Sequence, residues 1–461
     1  MELVLLSGGS GKRLWPLSND SRSKQFLKVL ENENGLESMV QRVWRQLEQL
    51  GLSDSTVITT GKSQVEMIQN QLGSHVPLII EPERRDTFPA IALAATYLYS
   101  VEHASLNEVV GVLPVDPYVD ISFFKRLKDL ENVINISCAD LALMGVSPTY
   151  PSEKYGYIVP VSNEESNTYI KVSHFKEKPS ESEARALIEQ SALWNCGVFA
   201  FKLEYIISLL KNMSLPIQYE ELLDQYQLLE KISFDYAVVE KTKNIIAIPY
   251  NGSWKDLGTW NTLTEEMGTN QIGKGILSDD SINTHLVNEL DIQVTVLGIK
   301  DAIIAVSPDG ILVSDKAESP KIKEVLKGFE QRPMYEERRW GWYKVLDHTK
   351  FTEGNEVITK RICVKAGCNL SYQLHHARCE VWTIISGEGE FVINDVIRRV
   401  KVGDVLHIPL ETKHGIKAST DLEFIEVQTG SDLVEEDIQR IYMTWEEVEK
   451  HCESLVLKSM N

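Results

Sequence analysis

Cysteine is scarce and carries no pattern. The six in 461 residues (Cys138, Cys196, Cys363, Cys368, Cys379 and Cys452) show no Cys-x-x-Cys spacing, which argues against a disulfide framework and a structural zinc cluster and fits reduced thiols in a cytoplasm. Long apolar runs are missing too. The opening MELVLLSGGSGKRLWPL meets glycine early and has no basic residues ahead of its short apolar run, so no secretory leader is expected. No window approaches the length of a membrane span. Positive charge is in deficit: 47 Lys and Arg face 67 Asp and Glu, a formal net charge of -20. A global field of that sign repels nucleic acid and anionic membranes, so neither is an expected partner. An anionic substrate must instead be met by local cations and backbone amides. No internal repeat and no low-complexity segment interrupts the chain.

What is present is the composition of a folded enzyme, 43% hydrophobic and 25% charged, at a length that suggests roughly two to four domains. Through about residue 265, short apolar runs at 3–6, 55–60, 76–80, 109–114 and 141–146 alternate with helical patterns at 36–50, 62–72, 88–103 and 181–190. Strands separated by helices predict an α/β domain with a mixed, mostly parallel sheet that gathers ligands at the C-terminal strand ends. From about 270 the helical signal fades into short β runs broken by Asp-Gly and Ser-Pro turns, which reads as a small β connector; β-helical coiling is one form open to it. A charged helix is expected over 319–331. From about 343 to 430 strands alternate with turns in an all-β pattern suited to a barrel or jelly roll. The expected division is 1–265, 266–332 and 333–461.

The string GGSGKRLWPLSNDSRSKQFL opens the chemistry. Gly8, Gly9 and Gly11 follow a strand directly, where the lack of Cβ lets successive backbone N–H groups approach an anion. Arg13 and Lys24 add fixed positive charge. A glycine loop alone fits a purely steric turn equally well, but the whole string resembles mannose-1-phosphate guanylyltransferases. Seven further blocks follow in that family's order: EPERRDTFPAIALAA, VLPVDPYV, GVSPTYPSEKYGYI, FKEKP, LWNCGVFAF, SFDYAVVEK and WKDLGTW.

The resemblance implies transfer of a nucleotidyl group from GTP to mannose-1-phosphate, giving GDP-mannose and pyrophosphate. It assigns Asp116 and Asp256 as Mg²⁺ ligands, hard oxygens of the kind that ion prefers. It places Arg13, Lys24 and the glycines on the triphosphate and Lys178 on the sugar phosphate. Gly156, Glu177 and Asn195 lie by resemblance against the sugar hydroxyls, and Glu81 and Arg85 against the base. The chain departs from the family at Ser23, usually proline, at Asp86, usually asparagine, and at Pro117, usually histidine.

Further on, QLHHARCEVW and GDVLHIPLETKH carry Gln373, His375, Glu380 and His414 at cupin spacings, with Gly387 closing the first motif and Gly403 and Pro409 framing the second. Gln373 takes the place of the first motif histidine. A mixed N/O set of this kind suits Zn²⁺ or another divalent metal. These strings resemble the type II phosphomannose isomerase domain, which implies interconversion of mannose-6-phosphate and fructose-6-phosphate, with Arg378 engaging the substrate phosphate or assisting the transfer. Here the departures are Ala377, where that family has a second histidine, and Glu411, where it has glycine. Two other readings stay open: a nucleotidyltransferase for another nucleoside triphosphate or hexose-1-phosphate with a non-catalytic cupin, and a regulatory sugar-nucleotide binder. A homo-oligomer is expected.

Overall fold

The computed structural model describes residues 1–9, 12–19, 21–161, 168–329, 331–352, 354–435 and 437–454. Two compact units emerge. One holds Met1–Leu14, Ser23–Asn270 and Asp315–Lys323; the other holds Trp15–Arg22, Gln271–Ser314 and Glu324–Asn461. Among the described residues no helix is long and apolar enough to cross a membrane.

The first unit is built on a nine-stranded mixed sheet in the order Leu78–Glu81, Thr56–Gly61, Glu2–Ser7, Val109–Pro114, Leu193–Lys202, Leu141–Val146, Ile245–Tyr250, Ile170–Lys176 and Tyr157–Pro160. Its opening strand pairs in parallel with both neighbours. Leu193–Lys202 runs antiparallel between Val109–Pro114 and Leu141–Val146. Side chains alternate across a strand, so Leu3 and Leu5 enter one apolar cluster while Val4 enters the other. Both faces are thus buried, which is why the strands read as continuous apolar runs. The helix Met39–Gln49 packs on one face through Val40, Val43 and Leu47. Thr87–Ser100 and Leu203–Asn212 cover the other. Met39–Gln49 is started by a capping box between Ser38 and Gln41, which satisfies N–H groups that have no intrahelical acceptor.

In the second unit, successive short strands stack in parallel: Gln271–Ile272 on His285–Asn288, His285–Asn288 on Ala302–Ser307, and Gly275–Leu277 on Val294–Val296. This gives the connector a β-helical form around Leu286, Val296, Ile304 and Val306. The all-β region follows as two six-stranded sheets over a core that includes Ile358, Trp382, Phe391, Ile416 and Phe424.

One element differs from expectation. The helix foreseen over 319–331 shrinks to a 3-10 turn, Ser319–Lys321, and one α turn, Ile322–Val325. Ile322 is buried, but Val325 is 80% exposed, and Gly328 at φ 84° turns the chain out of the helical conformation.

Candidate functional site

The first site forms where two distant segments pair. Pro117–Val119 runs antiparallel to Trp254–Asp256 with Asp256 opposite Pro117, which brings Asp116 and Asp256 together. Proline is tolerated in this short two-stranded ribbon, where the other ladder bonds carry the pairing. Lys24 enters from a 3-10 turn, Lys24–Phe26, anchored by buried Gln25 and Phe26. Its Nζ lies 2.7 Å from Asp116 Oδ2 and 3.1 Å from Asp256 Oδ1. Burial alone would lower the Lys24 pKa, but Asp116 and Asp256 overcome it and hold the ammonium above the ordinary lysine range. The three side chains keep 23%, 33% and 35% of their surface exposed, as groups that must meet a solvated anion require.

Ahead of them Gly8 and Gly9 are exposed, Gly9 at φ 134°, and among the described residues a Cβ at either would meet nothing within 4 Å. That open space is where an anion could reach the backbone. The Ser23 hydroxyl donates to Gly9 O at 2.8 Å, a tie that the family's usual proline could not make. Arg13 is exposed in the turn Lys12–Leu14. Gly11 lies outside the described residues.

A second group gathers beside the end of Ile170–Lys176. Glu177 is buried, and its Oε1 accepts from Lys178 Nζ at 2.5 Å. Asn195 N–H donates to Gly156 O at 2.8 Å. A Cβ on Gly156 would sit 2.4 Å from Phe175 Cζ and 2.5 Å from Glu177 Oε2, so only glycine lets these side chains approach. Asn195 Nδ2 donates to Asp235 Oδ1 at 2.8 Å. The block SFDYAVVEK contains Asp235 but gave it no role; a carboxylate in the first turn after the cap Ser233 is the signal that marks it. Burial, then the nearby Glu177 charge, push its carboxyl up to about 7.

Glu81 and Arg85 turn toward another segment. Glu81 Oε2 accepts from Tyr226 Oη at 2.6 Å, while Arg85 donates to Leu229 O at 2.8 Å and to Glu83 at 2.7 Å. Bordering Asp256 is a cleft of about 660 Å³ walled by Tyr150, Tyr155, Trp194 and Trp254. Burial, followed by the charge of Asp256, raises the Tyr155 phenol above its usual range.

The other unit holds a compact polar cluster. Donor atoms of His375, Glu380 and His414 all lie within 4.8 Å of one another, and all three residues are buried. His375 Nδ1 lies 2.5 Å from Asp437 O, and His414 Nδ1 lies 2.8 Å from Thr412 O. A carbonyl only accepts, so each Nδ1 carries the proton and each Nε2 presents a lone pair to the centre. Among the described residues His414 Nε2 has no hydrogen-bond partner. Burial lowers the His375 pKa to about 4, keeping the ring neutral and able to ligate. Burial would raise Glu380, yet it lies well below the ordinary carboxylate range, with the Arg378 guanidinium 2.9 Å from its Oε1. Gln373 pairs with His414 across the sheet and brings its Nε2 to 3.4 Å from His375 Nε2. The orphaned imidazole nitrogen and this mixed donor set fit a metal ion.

Arg378 is buried, and its guanidinium donates to Glu380 at 2.9 Å and to Val434 O at 2.9 Å. It thus braces a cluster carboxylate. Behind the cluster, Trp382 Nε1 bridges Glu380 and Glu426 at 3.1 and 3.0 Å, and Gln428 donates to the same two carboxylates. Sequence reading missed Glu426 and Gln428, although they continue the inward period-two series of Leu422 and Phe424 with polar groups. Glu411 takes a positive φ of 57°, the conformation that glycine would adopt without strain.

Residues 330–443 match the family model for the mannose-6-phosphate isomerase C-terminal. The mannose-1-phosphate guanylyltransferase of Salmonella montevideo is 29% identical over 478 residues, spanning 95% of this chain and 98% of that protein. Alginate biosynthesis protein AlgA of Pseudomonas putida is 29% identical over 95% of this chain and 94% of its own. The crystal structure described as mannose-1-phosphate geranyltransferase from Thermus thermophilus superposes with a TM-score of 0.60 at 27% identity, covering 72% of this chain and 99% of that one. Residues 2–271, which contain the glycine turn, the Lys24 constellation and the Glu177–Asn195 group, match the nucleotidyl transferase model, and the chain belongs to the nucleotidyl transferase family.

Proposed function

We propose that the first unit is a mannose-1-phosphate guanylyltransferase, joining the nucleotidyl group of GTP to mannose-1-phosphate and releasing pyrophosphate. The observation that carries the reading is the Lys24 ammonium between Asp116 and Asp256, 2.7 and 3.1 Å from their oxygens. An attacking sugar phosphate and a triphosphate repel one another, so the catalyst must align them and neutralise charge. Lys24 and Arg13 supply fixed cations for the triphosphate, Gly8, Gly9 and Gly11 supply backbone donors, and Lys178 meets the sugar phosphate. The two converging carboxylates offer hard oxygens that fit Mg²⁺, which when bound supplies further charge neutralisation. Glu177, Asn195 and Gly156 bind sugar hydroxyls, and directional hydrogen bonds discriminate their stereochemistry. Glu81 and Arg85 face the nucleotide base, held by their bonds to Tyr226 and Leu229.

For the second unit we infer a divalent metal, Zn²⁺ or a similar ion, on His375, Glu380 and His414 with Gln373 beside them. When bound it would supply a Lewis acid for polarising a sugar carbonyl in mannose-6-phosphate and fructose-6-phosphate interconversion. The match of residues 330–443 supports this second activity, and Arg378 serves it by holding Glu380. We infer a functional division into 1–265, 266–332 and 333–461, which differs from the two compact units. Free cysteines support a cytoplasmic setting, and exposed Ile311 and Val313 on one strand face support self-association.

One experiment addresses both activities. The full chain is given GTP, mannose-1-phosphate and Mg²⁺ with pyrophosphate release as readout, beside a panel of other nucleoside triphosphates and hexose-1-phosphates. A fructose-6-phosphate isomerisation assay runs on the same sample. GTP with mannose-1-phosphate should be the fastest pair. Faster turnover of a different pair would overturn the substrate assignment.

A further inference from the structure

The Asn195 carboxamide is held at both ends. Its Oδ1 accepts from Gly197 N–H at 3.1 Å, and its Nδ2 donates to Asp235 Oδ1 at 2.8 Å. Turning the amide over would set NH₂ against an N–H donor and oxygen against a carboxylate, two repulsive contacts in place of two hydrogen bonds. What remains free is one Nδ2 proton and one Oδ1 lone pair. Gly197 lies in the same strand and fixes one end locally, at φ 72°. The other end depends on a residue from a separate element.

That element is firmly placed. Asp235 sits in the short helix Phe234–Ala237, capped by Ser233. Phe234 N–H donates to Thr87 Oγ1 at 2.8 Å, and Phe88 N–H donates to Ile232 O at 3.2 Å. The Phe234 ring is fully buried, 4.9 Å from Phe199 and 6.0 Å from Phe201 between centroids. Phe199 belongs to the same strand as Asn195, so one packing contact sets the spacing across which the two side chains bond.

We propose that Asp235 is a positioning and specificity residue, which orients the Asn195 carboxamide so that it offers one donor and one acceptor to sugar hydroxyls. This rests on the sugar-phosphate reading given above. Asp235 touches no reacting atom; it acts through Asn195.

The test is a double-mutant cycle on the full chain. Asp235→Ala should raise KM for mannose-1-phosphate about 10- to 100-fold, the usual effect of losing a charged hydrogen-bond partner. KM for GTP should stay within about twofold, because the triphosphate groups are elsewhere in the site. Added to Asn195→Ala, the Asp235→Ala change should worsen KM by less than about twofold. Asp235→Asn can still offer an acceptor oxygen and should restore most of the affinity. Asp235→Leu, close in shape and without an acceptor, replaces Asp235→Ala should that variant fail to fold. An unchanged sugar-phosphate KM, or full multiplicative losses in the double variant, would overturn the proposal. Wild type is first run on mannose-1-phosphate and glucose-1-phosphate. Turnover of glucose-1-phosphate alone would sink the mannose assignment, and the cycle then proceeds on that sugar. Calorimetric binding of the sugar phosphate gives the same comparison without turnover.

Discussion

The two polar sites solve opposite problems. Around Lys24 the charges are about a quarter to a third exposed and of both signs, so each group keeps some hydration. At His375, Glu380 and His414 the groups are nearly sealed, with exposures of 2%, 1% and 1%, and burial forbids uncompensated charge. The second site therefore relies on neutral imidazoles whose tautomers are set by backbone carbonyls, and on Arg378 to balance Glu380. The open, salt-bridged arrangement suits a mobile anion, whereas the closed one, with its orphaned nitrogen, suits an ion held in place.

That contrast breaks most visibly under substitution. Asp256→Asn or Lys24→Met should lower pyrophosphate release about a thousandfold, the scale of losing a group that neutralises charge in phosphoryl transfer. Metal content of the second unit should be unchanged. An equal loss of metal would show that the sites are not independent. His414→Ala should weaken metal binding by more than about 100-fold, beyond the usual penalty for a supporting residue, as read by elemental analysis after dialysis. Nucleotidyl transfer should persist. Retention of a full complement of metal would contradict the donor set drawn here.

The smallest effect lies at Asp235. An unfolded aspartate releases its proton in the ordinary range, near 3.8, while the folded one holds it until about 7. The folded state binds more protons between those values, so the contribution of this group to stability is present at low pH and lost as pH rises through 7. Asp235→Asn should accordingly melt about 2–4 °C above wild type at pH 8, with the gap closing toward pH 4 in scanning calorimetry. A gap that widens on acidification would reverse the sign. Such a gain, set beside the sugar affinity lost in Asp235→Ala, would mark Asp235 as a residue kept for recognition at the expense of stability.

Much of this architecture was legible. Period-two and continuous apolar runs located the strands Val109–Pro114 and Leu141–Val146 to the residue, because burial on both faces leaves no room for polar interruptions. The helix expected over 88–103 ends at Ser100, and helix ends are set by local capping more than by periodicity. The helix over 319–331 stops short, and Gly328 at φ 84° turns the chain out of the helical conformation. Motif reading found Gln373, His375, Glu380 and His414, whose spacing along strands is local. It missed Glu426, Gln428 and the role of Asp235, since their partners come from remote strands and helices. Arg378, expected to engage substrate phosphate or assist the transfer, is buried with hydrogen bonds to Glu380 and Val434, contacts that no local motif announces.

By itself the sequence determined the order of elements, the two family patterns and most of the residue types, because periodicity and short motifs are properties of neighbouring positions. Only the tertiary structure decided which atoms face each other. Lys24 bridges Asp116 and Asp256 because Pro117 pairs with Asp256, and Asn195 is oriented because Phe234 packs on Phe199. Hydrogen bonds and ion pairs act over about 3–4 Å, and that scale is set by how distant segments pack.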